Sequence, residues 1–500
     1  MQKQTIILIH PPTSCNSSLG ASTAGAEHLG LGLIATYLEG SGFNALVKNF
    51  EANWTTPAVA AEAVANTPNV LWVGISPTSL SISWVIQFAD SLKMLEETPI
   101  GCGGHLASLM GSEFLREVPS VDFVVVGPGE LPARKISESI ASGDWPQGNI
   151  PGVLCRNVSK AAPDCTSSEY KFLCWPKRNR DEVGSSARIL TSFGCKMNCS
   201  FCTTPSISGG RRILRELGDV LAEMRHLVSS FNVRTFYIND DAFLTCSDSD
   251  ISRADELFRS VADLGVGIRI LSRSDAIVKC SDRLRKWHIQ GLFSVFLGVE
   301  SAIEQTLNFM NKCSGPKMHE DAIRVLSECE IFPVIGFMMF TPETSIQDLR
   351  VNLEFLARNR QLYRCTPICR TMLGFPGTNF TRRLRESASF DVLRSSPFLY
   401  YPAFQHEEIR VLSKAMEEVE IGGASFDRHI LKRVEAAYLK NPVFPALASD
   451  AIAEISRNLM STFENSIEMA CRGCHAHEIV ESFTRLRRPT FEKYQKTSSQ

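Results

Sequence analysis

The 500-residue chain has no apolar run of the roughly 18 to 20 residues that a membrane-spanning helix needs. It has almost no net charge either: 52 Lys and Arg against 54 Asp and Glu leave a charge of -2 and a pI near 6.6. That balance excludes a general pull toward nucleic acid or an anionic membrane, and the run Arg485-Leu486-Arg487-Arg488 reads as a solvated basic stretch. Cysteine is too sparse for a disulfide scaffold, with 16 thiols in the whole chain. A reducing compartment is expected, with thiols serving packing or metal binding. Cys155, Cys280 and Cys329 read as inert. The opening residues, Met1-Gln2-Lys3-Gln4-Thr5, lead into a short strand rather than a signal peptide, so a cytoplasmic location is expected. Hydrophobic residues at 44% and charged residues at 21% describe a globular chain long enough for two or three domains. No internal repeat is evident.

From Thr5 to about Ala141, short apolar runs alternate with helical periods. Strands are expected at Thr5 to His10, Asn44 to Phe50, Val70 to Ser76, Pro99 to Gly104 and Phe123 to Gly127, with helices such as Leu29 to Leu38 and Ile82 to Leu95 between them. Continuous apolar strands separated by helices imply a parallel sheet covered on both faces, here a five-stranded doubly wound α/β domain over 1–142. Such sheets bind ligands beyond the carboxyl ends of their strands. Those ends carry Pro11-Pro12, Ser76-Pro77-Thr78-Ser79, Gly103-Gly104-His105 and Gly127-Pro128-Gly129-Glu130, small and polar residues that admit a phosphate-bearing or polar ligand as readily as they make turns. Residues 143–186, rich in Pro, Ser, Asn and Asp, read as a linker with some extended structure.

A second alternating series fills 187–384. Strands are expected at Arg188 to Ser192, Thr235 to Asn239, Ile268 to Arg273, Ser294 to Glu300, Pro333 to Phe340 and Ile368 to Phe375, with a helix over Ile213 to Val228. Six strand–helix units make a partial parallel barrel whose active site lies at the carboxyl ends of its strands. Three residues after its first strand comes Cys195-Lys196-Met197-Asn198-Cys199-Ser200-Phe201-Cys202. A tight loop with three thiolates suits a cubane iron–sulfur cluster with one iron left open. A structural zinc loop would need a fourth ligand, and no Cys, His, Asp or Glu lies within ten residues on either side. Residues 385–500 read as a helical carboxyl-terminal domain, with helices at Ile409 to Val419, Ser425 to Leu439 and Ala451 to Ala470.

The C-x3-C-x2-C run after the first barrel strand resembles that of the radical S-adenosylmethionine (radical SAM) enzymes, and more narrowly of their cobalamin-binding branch, which includes the class B methyltransferases. Ordered matches support the resemblance: Tyr237-Ile238-Asn239-Asp240-Asp241, Ser272-Arg273-Ser274-Asp275, Gly298-Val299-Glu300-Ser301, Gly336 to Thr344, and Phe375-Pro376-Gly377-Thr378. In the first domain Pro11-Pro12, Gly103-Gly104-His105 and Gly127-Pro128-Gly129-Glu130 look like that branch's cobalamin domain. The resemblance covers roughly residues 5 to 380. It implies a [4Fe-4S] cluster on Cys195, Cys199 and Cys202, and S-adenosylmethionine near Phe201, Asp240, Asp241, Arg273, Glu300 and Ser301. It further implies cobalamin near Pro12, Ser76, Thr78, Ser79, Gly103, Gly104, His105, Gly127, Gly129 and Glu130. The D-x-H-x-x-G motif that supplies a lower axial histidine is absent, since the residues around His10 read Leu8-Ile9-His10-Pro11-Pro12-Thr13. His10, His28 and His105 are therefore expected in structural or hydrogen-bonding roles.

What the resemblance implies about activity is radical chemistry on an unactivated carbon. The expected reaction is methyl transfer from methylcobalamin to a carbon of a natural-product intermediate or peptide. Ring contraction, rearrangement or oxidative cyclisation with the same cofactors is the alternative, and a non-catalytic cobalamin or iron–sulfur sensor is the alternative of a different class. The expected partners are a small-molecule or peptide substrate and a reductase, flavodoxin or ferredoxin as electron donor, with no nucleic acid and no membrane. Two further pairs, Cys365/Cys369 and Cys471/Cys474, are read as packing thiols in preference to an auxiliary metal site.

Overall fold

The computed structural model describes residues 3–13, 27–51, 55–145, 150–156, 172–420 and 447–496. The first sheet is built from Thr5–His10 (β1), Asn44–Asn49 (β2), Val70–Ile75 (β3), Ile100–Cys102 (β4), Phe123–Val125 (β5) and Val153–Cys155 (β6), in the order β2-β1-β3-β4-β5-β6. The first five strands run parallel. Along β1, Ile7 and Ile9 join one buried cluster with Val73, Phe88 and Phe114, while Ile6 and Leu8 join another with Leu31, Leu38 and Trp72. Both faces are therefore covered, which is why the strand is a continuous apolar run.

The sixth strand lies within 143–186, the segment expected to be a linker with some extended structure. β6 pairs antiparallel with β5, with Phe123 opposite Cys155. Three residues are too few to display a period. The segment is fixed instead by Arg156, whose Nη2 donates to the carbonyls of Val118 and Val121, both at 2.8 Å.

The second sheet contains Ser186–Ile189 (β7), Thr235–Ile238 (β8), Gly267–Ser272 (β9), Leu292–Glu300 (β10) and Phe332–Phe337 (β11), all parallel in the order β11-β10-β9-β8-β7. The expected sixth strand at Ile368 to Phe375 reduces to two isolated bridges, Phe340 to Thr371 parallel and Gly374 to Tyr400 antiparallel, preceded by the short helix Thr366–Cys369. Pro367 has no N–H for a ladder and favours the first turn of a helix. The helix expected from Ile213 starts at Leu217, because Ile213–Leu214 pairs antiparallel with Ser192–Phe193 beside the cysteine run.

Helices over 407–420, Leu447–Cys471 and Ala476–Lys496 follow; the helix expected at 425–439 lies outside the described residues. Ile409, Met416, Leu459, Phe463 and Ile479 pack in the same buried cluster as barrel residues Ile238, Leu297 and Phe337. The carboxyl-terminal region thus shares the barrel's core instead of forming a domain with its own, because its amphipathic helices find their apolar partner there. Arg487 reaches across to donate to the Sγ of buried Cys365 at 3.4 Å. Among the described residues no helix is long and apolar enough to cross a membrane.

Candidate active site between the two sheets

The cysteine run leaves β7 through Thr191 and Ser192. Asp240, fully buried after β8, accepts Thr191 N at 2.7 Å, Thr191 Oγ1 at 2.5 Å, Ser192 N at 3.0 Å and Ser192 Oγ at 2.7 Å. Its neighbour Asp241 accepts Gly194 N at 3.0 Å and Thr204 Oγ1 at 2.8 Å. Gly194 has φ +86, and a Cβ there would lie 2.3 Å from the Arg211 carbonyl, so only glycine makes this turn. The two carboxylates hold the loop at its entry and exit. Asp240, with four donors and no exposure, serves the loop's own hydrogen bonding.

Cys195, Cys199 and Cys202 are partly buried and free of disulfides. Desolvation pushes the Cys199 thiol up to about 11 against the pull of the Lys312 ammonium, and burial also raises Cys202. Bare thiolates are disfavoured here, so a metal would take the place of the protons. Among the described residues no three His, Cys, Asp or Glu side chains stand close enough to share one ion. A cubane takes one thiolate at each of three corners, which is what three cysteines in one short loop offer.

Around the barrel mouth, Glu300 sits at φ +69, where the β10–β11 register shifts between Gly298 and Glu300. Its Oε1 is 3.3 Å from Lys312 Nζ. A Cβ on Gly298 would approach that oxygen to 2.8 Å and the ammonium to 3.0 Å, so the glycine leaves room for the pair. A bulge and a left-handed non-glycine residue together are a strained arrangement typical of functional positions. Arg273 has its fork filled by Asp275, Nε to Oδ1 at 2.9 Å and Nη2 to Oδ2 at 2.5 Å, and its Nη1 touches Met197 Sδ in the cysteine loop. Ser301 is fully buried; its Oγ accepts Ile303 N at 3.1 Å and donates to Asn352 Oδ1 at 3.4 Å. Phe201 packs against Met310, Met372 and Phe380.

A cavity of about 540 Å³ opens between the sheets. From the first domain it is lined by Ser76, Thr78, Gly103, Gly104, His105, Gly127, Gly129 and Glu130, and from the barrel by Arg188, Ser192, Phe193, Asn239 and Asp241. Pro12, which is buried, and Ser79 are not among its lining residues. Gly104, at φ +80, has no room for a Cβ, which would meet Ser76 Oγ at 2.8 Å. This lining of backbone and small side chains suits a large polar ligand lying against the strand ends.

Three histidines border the cavity and all are held neutral. His28 Nδ1 accepts Leu31 N at 3.1 Å, so its Nε2 carries the proton and donates to Ser76 Oγ at 3.1 Å. Burial lowers it to about 3, and lowers His10, edge-on at 4.9 Å, to about 4. His105 is crowded by protein yet exposed into the cavity, and desolvation lowers it too.

Sequence reasoning missed the ionic junction behind the cavity. Arg178 reaches Glu27 and Glu223, each at 2.5 Å, Arg215 reaches Glu223 at 2.5 Å, and Arg188 N donates to Glu27 at 2.9 Å. All four charged side chains are buried. The partners come from the first domain, the connecting segment and the barrel, so no local period announces them.

The parallel strands of both sheets thus turn their carboxyl ends to one cavity, and the triad follows the first strand of the second sheet. The B12 binding domain model matches residues 19–137, and the Radical SAM superfamily model matches residues 189–356. An uncharacterized methyltransferase of Pyrococcus horikoshii is 22% identical over 371 residues, 71% of this chain and 78% of its own. The structure of the cobalamin-dependent S-adenosylmethionine radical enzyme OxsB with aqua-cobalamin and S-adenosylmethionine bound superposes with TM-score 0.67 at 13% identity, covering 99% of this chain and 80% of that one. The radical S-adenosylmethionine methyltransferase TsrM from Kitasatospora setae, with tryptophan substrate and a SAM analog, gives 0.62 at 15% identity, covering 85% and 90%. At these identities the solved structures share the fold, and the likeness to OxsB extends over the carboxyl-terminal helices, which resembled nothing in sequence. The chain thus carries a B12 binding domain followed by a radical SAM domain. Its cofactors are the [4Fe-4S] cluster, S-adenosylmethionine and cobalamin.

Proposed function

We propose that this enzyme transfers a methyl group to a carbon of a small natural-product intermediate or a peptide. The observation that carries the reading is the shared cavity, which brings the strand ends of the B12 binding domain against Ser192 and Asp241 at the foot of the cysteine loop. Similarity to a named methyltransferase over most of both chains supports it. When bound, the cluster with S-adenosylmethionine supplies a carbon-centred radical and cobalamin supplies the methyl group.

In this reading Cys195, Cys199 and Cys202 ligate the cluster, and Lys312, which favours the ionised form of Cys199, steadies that charge. Phe201 offers a ring face to the adenine. Glu300, released from the strand pleat, and Asp241 bind the amino or hydroxyl groups of S-adenosylmethionine; Arg273 contributes only by sharing its fork with Asp275. Gly103, Gly104, Gly127 and Gly129 let the backbone approach cobalamin, with Ser76, Thr78 and Glu130 as polar contacts. His105, neutral and facing the cavity, would offer that ligand a hydrogen bond.

The test is anaerobic turnover of reconstituted protein with hydroxocobalamin, S-adenosylmethionine and a strong reductant over a panel of candidate substrates, read by mass spectrometry. Bound corrinoid, S-adenosylhomocysteine, 5'-deoxyadenosine and a product heavier by one methylene are expected. An isomer, or a product lacking two hydrogens, without S-adenosylhomocysteine would replace methyl transfer by rearrangement or cyclisation.

A further inference from the structure

The surface outside the cysteine loop carries a group of side chains that the proposed chemistry leaves unused. Helix Asn379–Glu386 buries Phe380 and Leu384 and exposes Arg382, Arg383 and Arg385. It is stitched to the loop: Phe380 N donates to Ser200 O at 2.8 Å, and Asn379 Nδ2 to Asn198 Oδ1 at 3.3 Å. Arg383 lies 5.5 Å over the Phe309 ring, and the Phe309 carbonyl accepts Ser200 Oγ at 3.2 Å. At 1.5 Å per residue, Arg382 to Arg385 fall roughly 3 to 8 Å along the axis from the Phe380 anchor. Lys196, exposed between Cys195 and Cys199, adds a fourth cation.

Among the described residues none of these four cations is ion-paired, whereas the exposed Arg324, Arg358, Arg410, Arg472 and Arg488 each are. Glu386 is the one acid on the helix. Beside it Phe390 packs with Phe380 and Leu384 and leads out to Val392 and Leu393, 74% and 97% exposed. A nearly neutral protein thus concentrates unpaired cations and an apolar tip over one loop. That loop is also thin cover: Lys196 and Asn198 are exposed while the three cysteines are only partly buried. Cations around a small apolar contact suit a brief, electrostatically steered encounter.

We propose that Lys196, Arg382, Arg383 and Arg385, with Leu393 at the rim, form the docking surface for an acidic one-electron carrier protein of the flavodoxin class. The carrier's anionic flavin hydroquinone is oxidised to the neutral semiquinone, the cluster is reduced by that one electron, and no proton or bond is exchanged. The proposal rests on the triad holding a cluster, which a small reductant tests separately.

The experiment follows reduction of the cluster in the full-length reconstituted protein by stopped-flow absorbance, with flavodoxin hydroquinone and with titanium(III) citrate, at low and high ionic strength. Flavodoxin affinity is measured in parallel by calorimetry. Arg382→Glu/Arg385→Glu should slow flavodoxin reduction and weaken its binding at least ten-fold at low salt, converge with the unmodified protein at high salt, and leave titanium citrate reduction unchanged. Unchanged flavodoxin rates in this variant, or an equal loss in Arg324→Glu/Arg358→Glu, would overturn the docking surface. Unchanged rates with lost binding of poly-glutamate would reassign the face to an anionic peptide. No titanium-reducible cluster in the unmodified protein would remove the premise instead. Should the double variant fail to take up iron, Leu393→Asp and the salt dependence of the unmodified protein decide: a salt-independent rate rejects the proposal.

Discussion

Asp240 and Asp241 are adjacent in sequence and differ in work. Asp240 spends all its acceptors on Thr191 and Ser192 inside the protein, while Asp241 is exposed at the cavity and holds Gly194 and Thr204. Replacing Asp240 by Ala strands two buried backbone donors, at about 1 to 3 kcal/mol each. Asp240→Ala should therefore lower the melting temperature and the iron retained after reconstitution, while corrinoid affinity stays within about three-fold; calorimetry and iron analysis check this. The cysteine spacing was legible in sequence because cluster ligation needs three thiolates in one short loop. The division between the two aspartates was not, because it depends on which way the chain turns after β8.

At the scale of elements, the strand ends of the first domain were legible because parallel strands buried on both faces leave an unbroken apolar run, as Thr5–His10 does. Val153–Cys155 and the lost sixth barrel strand were not, since three residues show no period and one proline outweighs a run's apolar content. On β4, a Cβ added to Gly101 would lie 2.1 Å from the Phe123 ring, which also lines the cavity. Gly101→Ala should push that ring into the cavity and weaken corrinoid binding at least ten-fold, with iron content unchanged, as read by absorbance titration. A second prediction concerns helix Pro316–Glu328. Its fully buried His319 hydrogen-bonds Ser274 at 2.7 Å, and desolvation lowers it from 6.5 to about 4. The unfolded chain takes up this proton below pH 6.5 and the folded protein does not until about 4, so stability falls as pH drops through that window. His319→Gln removes the proton uptake: its stability relative to the unmodified protein should rise by about 1.4 kcal/mol per pH unit on acidification from 6.5 toward 4, measured by urea melts.

Across the whole molecule, the buried junction of Glu27, Arg178, Arg215 and Glu223 sets how one sheet faces the other. Breaking a buried ion pair from one side costs about 3 kcal/mol or more. Glu223→Gln should keep cluster and corrinoid stoichiometry but lower the ratio of S-adenosylhomocysteine to 5'-deoxyadenosine at least three-fold, because the two cofactor domains lose register; an unchanged ratio would assign the junction to stability alone. The antiparallel strand β6 has a different consequence, for dissection of the protein. A fragment cut at residue 142 would leave the hydrogen-bonding edge of β5 open to strand addition by a neighbouring molecule. An isolated corrinoid-binding fragment should be monodisperse when it runs through Arg156 and self-associate when it stops short, so the practical border of that half lies fourteen residues beyond its last helix, Glu130–Ser142.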